Sequence, residues 1–123
     1  MKKLVILTVV ILAVILLTVI GCGVDTYTDT DAAINTSVNQ EFVIVLNNPN
    51  PRVGNHWYES YNDKMLTLVD TTYSPDDESH PDLGGTLNYQ FKALETGTTE
   101  VVFTYKTVTD RVIEKKVFNI DIE

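Results

Sequence analysis

Cysteine is almost missing: the chain of 123 residues contains one, Cys22, so no disulfide can form within it. Stability then has to come from a packed apolar core. Histidine is nearly as scarce, and His56 and His80 stand far apart, each beside a turn or a proline. A zinc site needs three or four well-spaced ligands. Asp25, Asp29 and Asp31 lack the glycine and distal glutamate of an EF-hand loop. No metal and no cofactor is expected. Cations are few as well, 9 Lys and Arg against 17 Asp and Glu, for a formal net charge of −8. Nucleic-acid phosphates would be repelled, which removes DNA and RNA as partners. The chain has no Gly-x-Ser-x-Gly elbow, no phosphate-cradling glycine loop and no His-Glu-x-x-His. It is not expected to be an enzyme.

Charge is wholly lacking from Leu4 to Ile20, a run of 17 residues preceded by Lys2 and Lys3. A positive start, an apolar stretch and small residues at its end form the pattern of an export signal. The end, Val19-Ile20-Gly21-Cys22, resembles the lipobox of bacterial-type lipoproteins, in which the cysteine is lipidated and becomes the first mature residue. The expected organisation is a signal peptide over 1–21, a flexible acidic tether over 22–31 and one domain over 32–123. An uncleaved membrane helix is the alternative, since 17 residues lie near the lower limit of about 17–25 for a span. Both place the domain outside the cytoplasmic membrane, in the cell envelope on a lipid anchor or secreted. Beyond residue 21 the balance is 7 cations against 17 acids, so the charge falls to −10.

No segment after residue 32 keeps a helical period for more than a turn or two, whereas alternation recurs. Phe42, Ile44 and Leu46 alternate with Val43 and Val45, a short strand apolar on both faces. Leu66 to Asp70 alternates, and so do Leu87, Tyr89 and Phe91; Val101, Phe103 and Tyr105; and Phe118, Ile120 and Ile122. Prolines and glycines punctuate the strands. The pattern predicts an all-β, immunoglobulin-like β-sandwich of about seven strands without a disulfide, expected to be a monomer.

Two loops concentrate the turn-forming residues: Asn50-Pro51-Arg52-Val53-Gly54 before Trp57, and Asp82-Leu83-Gly84-Gly85-Thr86 before a strand. Here the chain resembles the chagasin family of cysteine protease inhibitors. The family shows Asn-Pro-Thr-Thr-Gly with a tryptophan three residues later, and Asn50, Pro51, Gly54 and Trp57 keep that spacing. Its second loop is Gly-x-Gly-Gly, of which Gly84 and Gly85 remain. Phe91 to Leu94, Gly97, Thr104 and Tyr105 match the family pattern beyond that loop, so the likeness spans about residues 34–122. The third loop departs from the family: x-Arg-Pro-Trp is usual after the tyrosine, but Lys106, Thr107, Val108, Thr109 and Asp110 come after Tyr105. Both threonines of the first motif are also replaced, by Arg52 and Val53.

The resemblance implies a reversible, competitive inhibitor that closes the cleft of a papain-like cysteine protease with loops at one end of the sandwich. Asn50 to Gly54, Leu83 to Thr86 and Lys106 to Thr109 would touch the protease, and Cys22 would carry the lipid. Pro51 lowers the entropy that its loop loses on contact, and Gly84 and Gly85 permit close backbone approach. Gly85→Val is thus expected to harm binding more than stability. An Arg-Pro-Trp replacement of Thr107-Val108-Thr109 is expected to tighten binding, because an interfacial Trp and Arg contribute strongly. Trp57 is expected as a core anchor beneath the first loop. The alternative is a non-inhibitory surface binding or assembly module of the same architecture.

Overall fold

The computed structural model describes residues 24–48 and 53–123. Cys22, Asn50, Pro51 and Arg52, and the proposed signal peptide, lie outside the described residues. Among those described, eight strands and no helix are found: β1 Asp25–Tyr27, β2 Ile34–Thr36, β3 Glu41–Asn48, β4 His56–Tyr61, β5 Leu66–Pro75, β6 Gly85–Ala93, β7 Gly97–Lys106 and β8 Val112–Ile122. They form two four-stranded sheets, ordered β1-β3-β6-β5 and β2-β8-β7-β4. The architecture is the expected all-β sandwich, with eight strands where the alternation suggested about seven.

The core follows from the alternation. Phe42, Ile44 and Leu46 of β3 and Tyr89 and Phe91 of β6 turn one face inward. Val101, Phe103 and Tyr105 of β7 and Phe118, Ile120 and Ile122 of β8 meet them from the other sheet. Phe103 stands edge-on to Phe118 at 5.7 Å and tilts against Tyr89 at 4.9 Å, so aromatic contacts join the sheets. Val43 and Val45 are half-buried on the outer face of β3.

The segment expected to be a flexible tether is structured at its centre. β1 pairs in parallel with β3, Asp25 opposite Phe42 and Tyr27 opposite Ile44. Tyr27 stands edge-on to Phe42, at 6.4 Å between ring centres. With only an aspartate, a threonine and a tyrosine, this strand shows no pattern in the sequence, but the backbone of β3 supplies partners regardless of side chain. β2 then crosses to the second sheet and pairs in parallel with Ile120–Ile122 of β8.

The register brings three connections to one end. Asn48 lies opposite Gly85, and Gly85 opposite Pro75, so the end of β3, the end of β5 and the start of β6 coincide. His56 and Val112 both pair with Lys106, which aligns the start of β4, the end of β7 and the start of β8. The first loop, between β3 and β4, crosses from sheet to sheet. The second, 76–84, and the third, 107–111, each join neighbours within one sheet and flank the first. β1 starts at the opposite end, beside Phe42.

Candidate functional site

Beneath the first loop, Trp57 is 8% exposed and packs on Tyr105 with ring centres 4.9 Å apart. Its indole Nε1–H donates to the Asn47 carbonyl at 3.0 Å. Trp57 and Asn47 belong to different sheets, so this bond ties together the two ends of the crossover. The tryptophan has the expected core role. It fixes where the loop leaves and re-enters the sandwich.

The part of the first loop that is described consists of Val53, 53% exposed, and Gly54. Gly54 has φ +81°, in the left-handed region that favours glycine. A Cβ there would come within 2.7 Å of Val108 Cγ1. The third loop therefore rests on the first, through contact of a valine with a bare backbone.

That third loop is knotted around one hydroxyl. Thr107 Oγ1 accepts hydrogen bonds from the backbone N–H of Thr109 at 3.3 Å and of Arg111 at 3.2 Å. The backbone N–H of Thr107 donates to the Arg111 carbonyl at 2.9 Å, and that of Asp110 to the Thr107 carbonyl at 3.0 Å. Asp110 takes φ +64° to close the turn, a conformation aspartate tolerates better than most residues. The result is a tight hairpin carrying Val108 at its tip, 74% exposed.

In the second loop, Gly84 is buried at φ +145° and its carbonyl accepts from the Asp76 N–H at 3.1 Å. Gly85 is buried too, and a Cβ there would fall 2.6 Å from the Ser74 carbonyl oxygen and from the ring of Tyr73. A backbone atom cannot yield as a flexible side chain does. Gly85 is needed inside the fold, which reverses the expectation that a valine there would spare stability. Tyr73, which the sequence did not single out, crosses this glycine and donates its hydroxyl to the Pro81 carbonyl at 2.7 Å. Asp77 anchors the loop further, accepting from the Ser79 N–H at 2.9 Å and facing His80 Nδ1 at 3.0 Å. Those hydrogen bonds, His80 first, hold the Asp77 carboxyl below its ordinary range. Leu83 is left outward, 53% exposed. Thr86 is half-buried in β6, between Asn47 and Ser74.

Among the described residues the three loops offer the exposed aliphatic side chains Val53, Leu83 and Val108, the last two on backbones held by internal hydrogen bonds. Lys106 closes β7, its Nζ 5.4 Å from the centre of the Tyr58 ring. Among the described residues no group of three metal-ligating side chains occurs. The arrangement can fill a groove.

Comparison with known proteins agrees with this geometry. No curated protein matches the sequence. Among solved structures, the cysteine protease inhibitor EhICP2 from Entamoeba histolytica is similar with TM-score 0.67 and 21% identity, over 81% of this chain and 95% of that one. The solution structure of amebosin is similar with TM-score 0.62 and 18% identity, over 83% and 98%. These likenesses concern the fold. The sequence pattern of the Chagasin family peptidase inhibitor I42 matches residues 35–122. With most of the chain inside that match, the protein belongs to the chagasin family of peptidase inhibitors, which block catalysis rather than perform it.

Proposed function

We propose that this chain is a reversible, competitive inhibitor of papain-like cysteine proteases, acting by occlusion of the catalytic cleft. The carrying observation is the convergence of three loops at one end of the sandwich, with Val53, Leu83 and Val108 turned outward and the second and third loops held by internal hydrogen bonds. A groove that takes extended peptide is filled best by a wedge already in shape, because little entropy is lost on contact. The first loop, Asn50 to Gly54, enters the cleft. Leu83 to Thr86 lie along one wall and Lys106 to Thr109 along the other. The family name and EhICP2, described as a cysteine protease inhibitor, support this choice of target class.

The third loop favours weaker inhibition than an aromatic one would give, since Val108 buries less area than an indole. The protein acts as a monomer held at the outer face of the cytoplasmic membrane by a lipid on Cys22. β1 supports an outward orientation: Asp25 is paired at the end opposite the loops, and only Gly23 and Val24 separate it from Cys22. The eight residues of β3 span about 25 Å at ~3.3 Å each, so the loops face away from the bilayer. Steady-state assay of the full chain in detergent against papain and a cathepsin tests the reading. Competitive inhibition without a cleavage product is expected. A chain that slows neither enzyme at micromolar concentration would instead be a non-inhibitory binding module.

A further inference from the structure

The outer face of the second sheet, next to the third loop, is unlike the rest of this acidic chain. Of the seven cations beyond residue 21, four lie between Lys106 and Lys116. The pairing places two of them on the same outward face. His56, Lys106 and Val112 form one row across β4, β7 and β8, and Tyr58, Thr104 and Lys115 form the next. Trp57 and Tyr105, between these rows, point into the core. Glu114, opposite Tyr105, falls on that inward row but stays exposed near the start of β8. The register shift beside Lys106 leaves Ile113 as the extra residue of β8. Tyr58, Val112 and Ile113 are each at least half exposed, and Lys106 reaches over the Tyr58 ring. A tyrosine and two aliphatic residues in water, framed by lysines, make an unpartnered amphipathic surface.

We infer that this face is a second contact surface, which takes an acidic, partly apolar flank of the target protease beside its cleft. The inference rests on the proposed inhibition and names what the target presents next to the groove. Continuity carries it: Lys106 is both the last residue of β7 and the start of the third loop, whose Val108 lies on Gly54. A protease wall resting on that loop therefore continues over Val112, Ile113 and Tyr58. Charge selects the partner. A second copy of this chain is acidic in balance, but it would bring its own Lys106 and Lys115 to this same face, so self-pairing here would set lysine against lysine. A bilayer is disfavoured by direction, since β1 and the residues leading back to Cys22 leave from the far end. The face offsets what the third loop lacks, because lysines speed encounter with an acidic flank and the apolar residues slow departure.

The experiment measures association and dissociation of the full chain in detergent with papain-like proteases whose flank beside the cleft is acidic, and with others whose flank is basic, at several salt concentrations. Acidic-flanked enzymes are expected to associate faster, with a rate that falls as salt rises. The variant Lys115→Glu is expected to slow that association about threefold at low salt and to weaken its salt dependence. Val112→Ser with Ile113→Ser is expected to quicken dissociation about tenfold, with the association rate unchanged. All three positions are exposed, and unchanged thermal unfolding of each variant confirms an intact fold. If the natural chain inhibits these enzymes and both variants match it, the face is not a contact surface while cleft occlusion stands. If the natural chain inhibits none of them, both ideas fall. Flotation of the Cys22→Ser chain with phosphatidylglycerol vesicles, lost in the lysine variant, would assign the face to a membrane and overturn the inference.

Discussion

At the scale of single residues, the glycines of the loop end serve the fold before they serve a partner. Gly85→Ala places a Cβ against the Ser74 carbonyl, where β5 and β6 are paired. It is expected to lower stability by about 1–3 kcal/mol, read from chemical denaturation. Wild-type stability in that variant would contradict the close approach. Trp57→Ala empties a buried aromatic site and removes the donor held by Asn47. A loss of about 3–5 kcal/mol is expected. Tyr89 gives the pH signature: burial first, then the charge of Glu59, pushes its hydroxyl from 10.0 up to about 12. A proton held more tightly in the folded state stabilises fully below pH 10 and is lost as pH climbs from about 10 to about 12. Denaturation at a series of alkaline pH values should show stability falling by about 1–2 kcal/mol over that window. Tyr89→Phe should flatten the fall. An equal decline in both proteins would locate the cause in another tyrosine or in a lysine.

At the scale of elements, the strands that alternate in sequence are those whose inward residues build the core. Phe42 to Leu46, Leu87 to Phe91, Val101 to Tyr105 and Phe118 to Ile122 all carry their period into the structure. β1 and β2 do not announce themselves, because three residues in parallel pairing at a sheet edge contain too little pattern. β5 runs on to Pro75 through Thr71, Thr72, Tyr73 and Ser74, which are exposed on an edge strand and carry no apolar alternation beyond the one read from Leu66 to Asp70. The loops were legible as positions, through Pro51, Gly54, Gly84 and Gly85. Their internal supports were not. The contact of Val108 with Gly54 and the bond from Tyr73 to Pro81 exist only once the sheets have formed. This changes the expected effect of restoring Arg-Pro-Trp at 107–109, because Thr107 organises the hairpin through two accepted bonds. Val108→Trp alone keeps that knot and adds a flat ring at an exposed tip. It should tighten inhibition of papain about tenfold, and more than the triple replacement does. Inhibition constants of the two variants decide between them. A triple variant that binds tighter would show that the knot is dispensable.

At the scale of the whole molecule, the fold separates two tasks by the length of a strand. One end gathers three loops without a disulfide, using a tryptophan bonded across the sheets and a valine seated on a glycine. The other end pairs β1 beside β3, outside the residues matched by the family pattern. That placement turns a polar leader into a mount that points the loops away from the proposed lipid anchor. The measurement that tests the central claim most directly is the inhibition of papain by the full chain as substrate concentration is raised. The account predicts an apparent inhibition constant that grows in proportion to substrate, full recovery of activity on dilution and an uncut inhibitor. An apparent constant indifferent to substrate, or cleavage between Asn50 and Gly54 in step with lost inhibition, would contradict occlusion of the cleft by these loops.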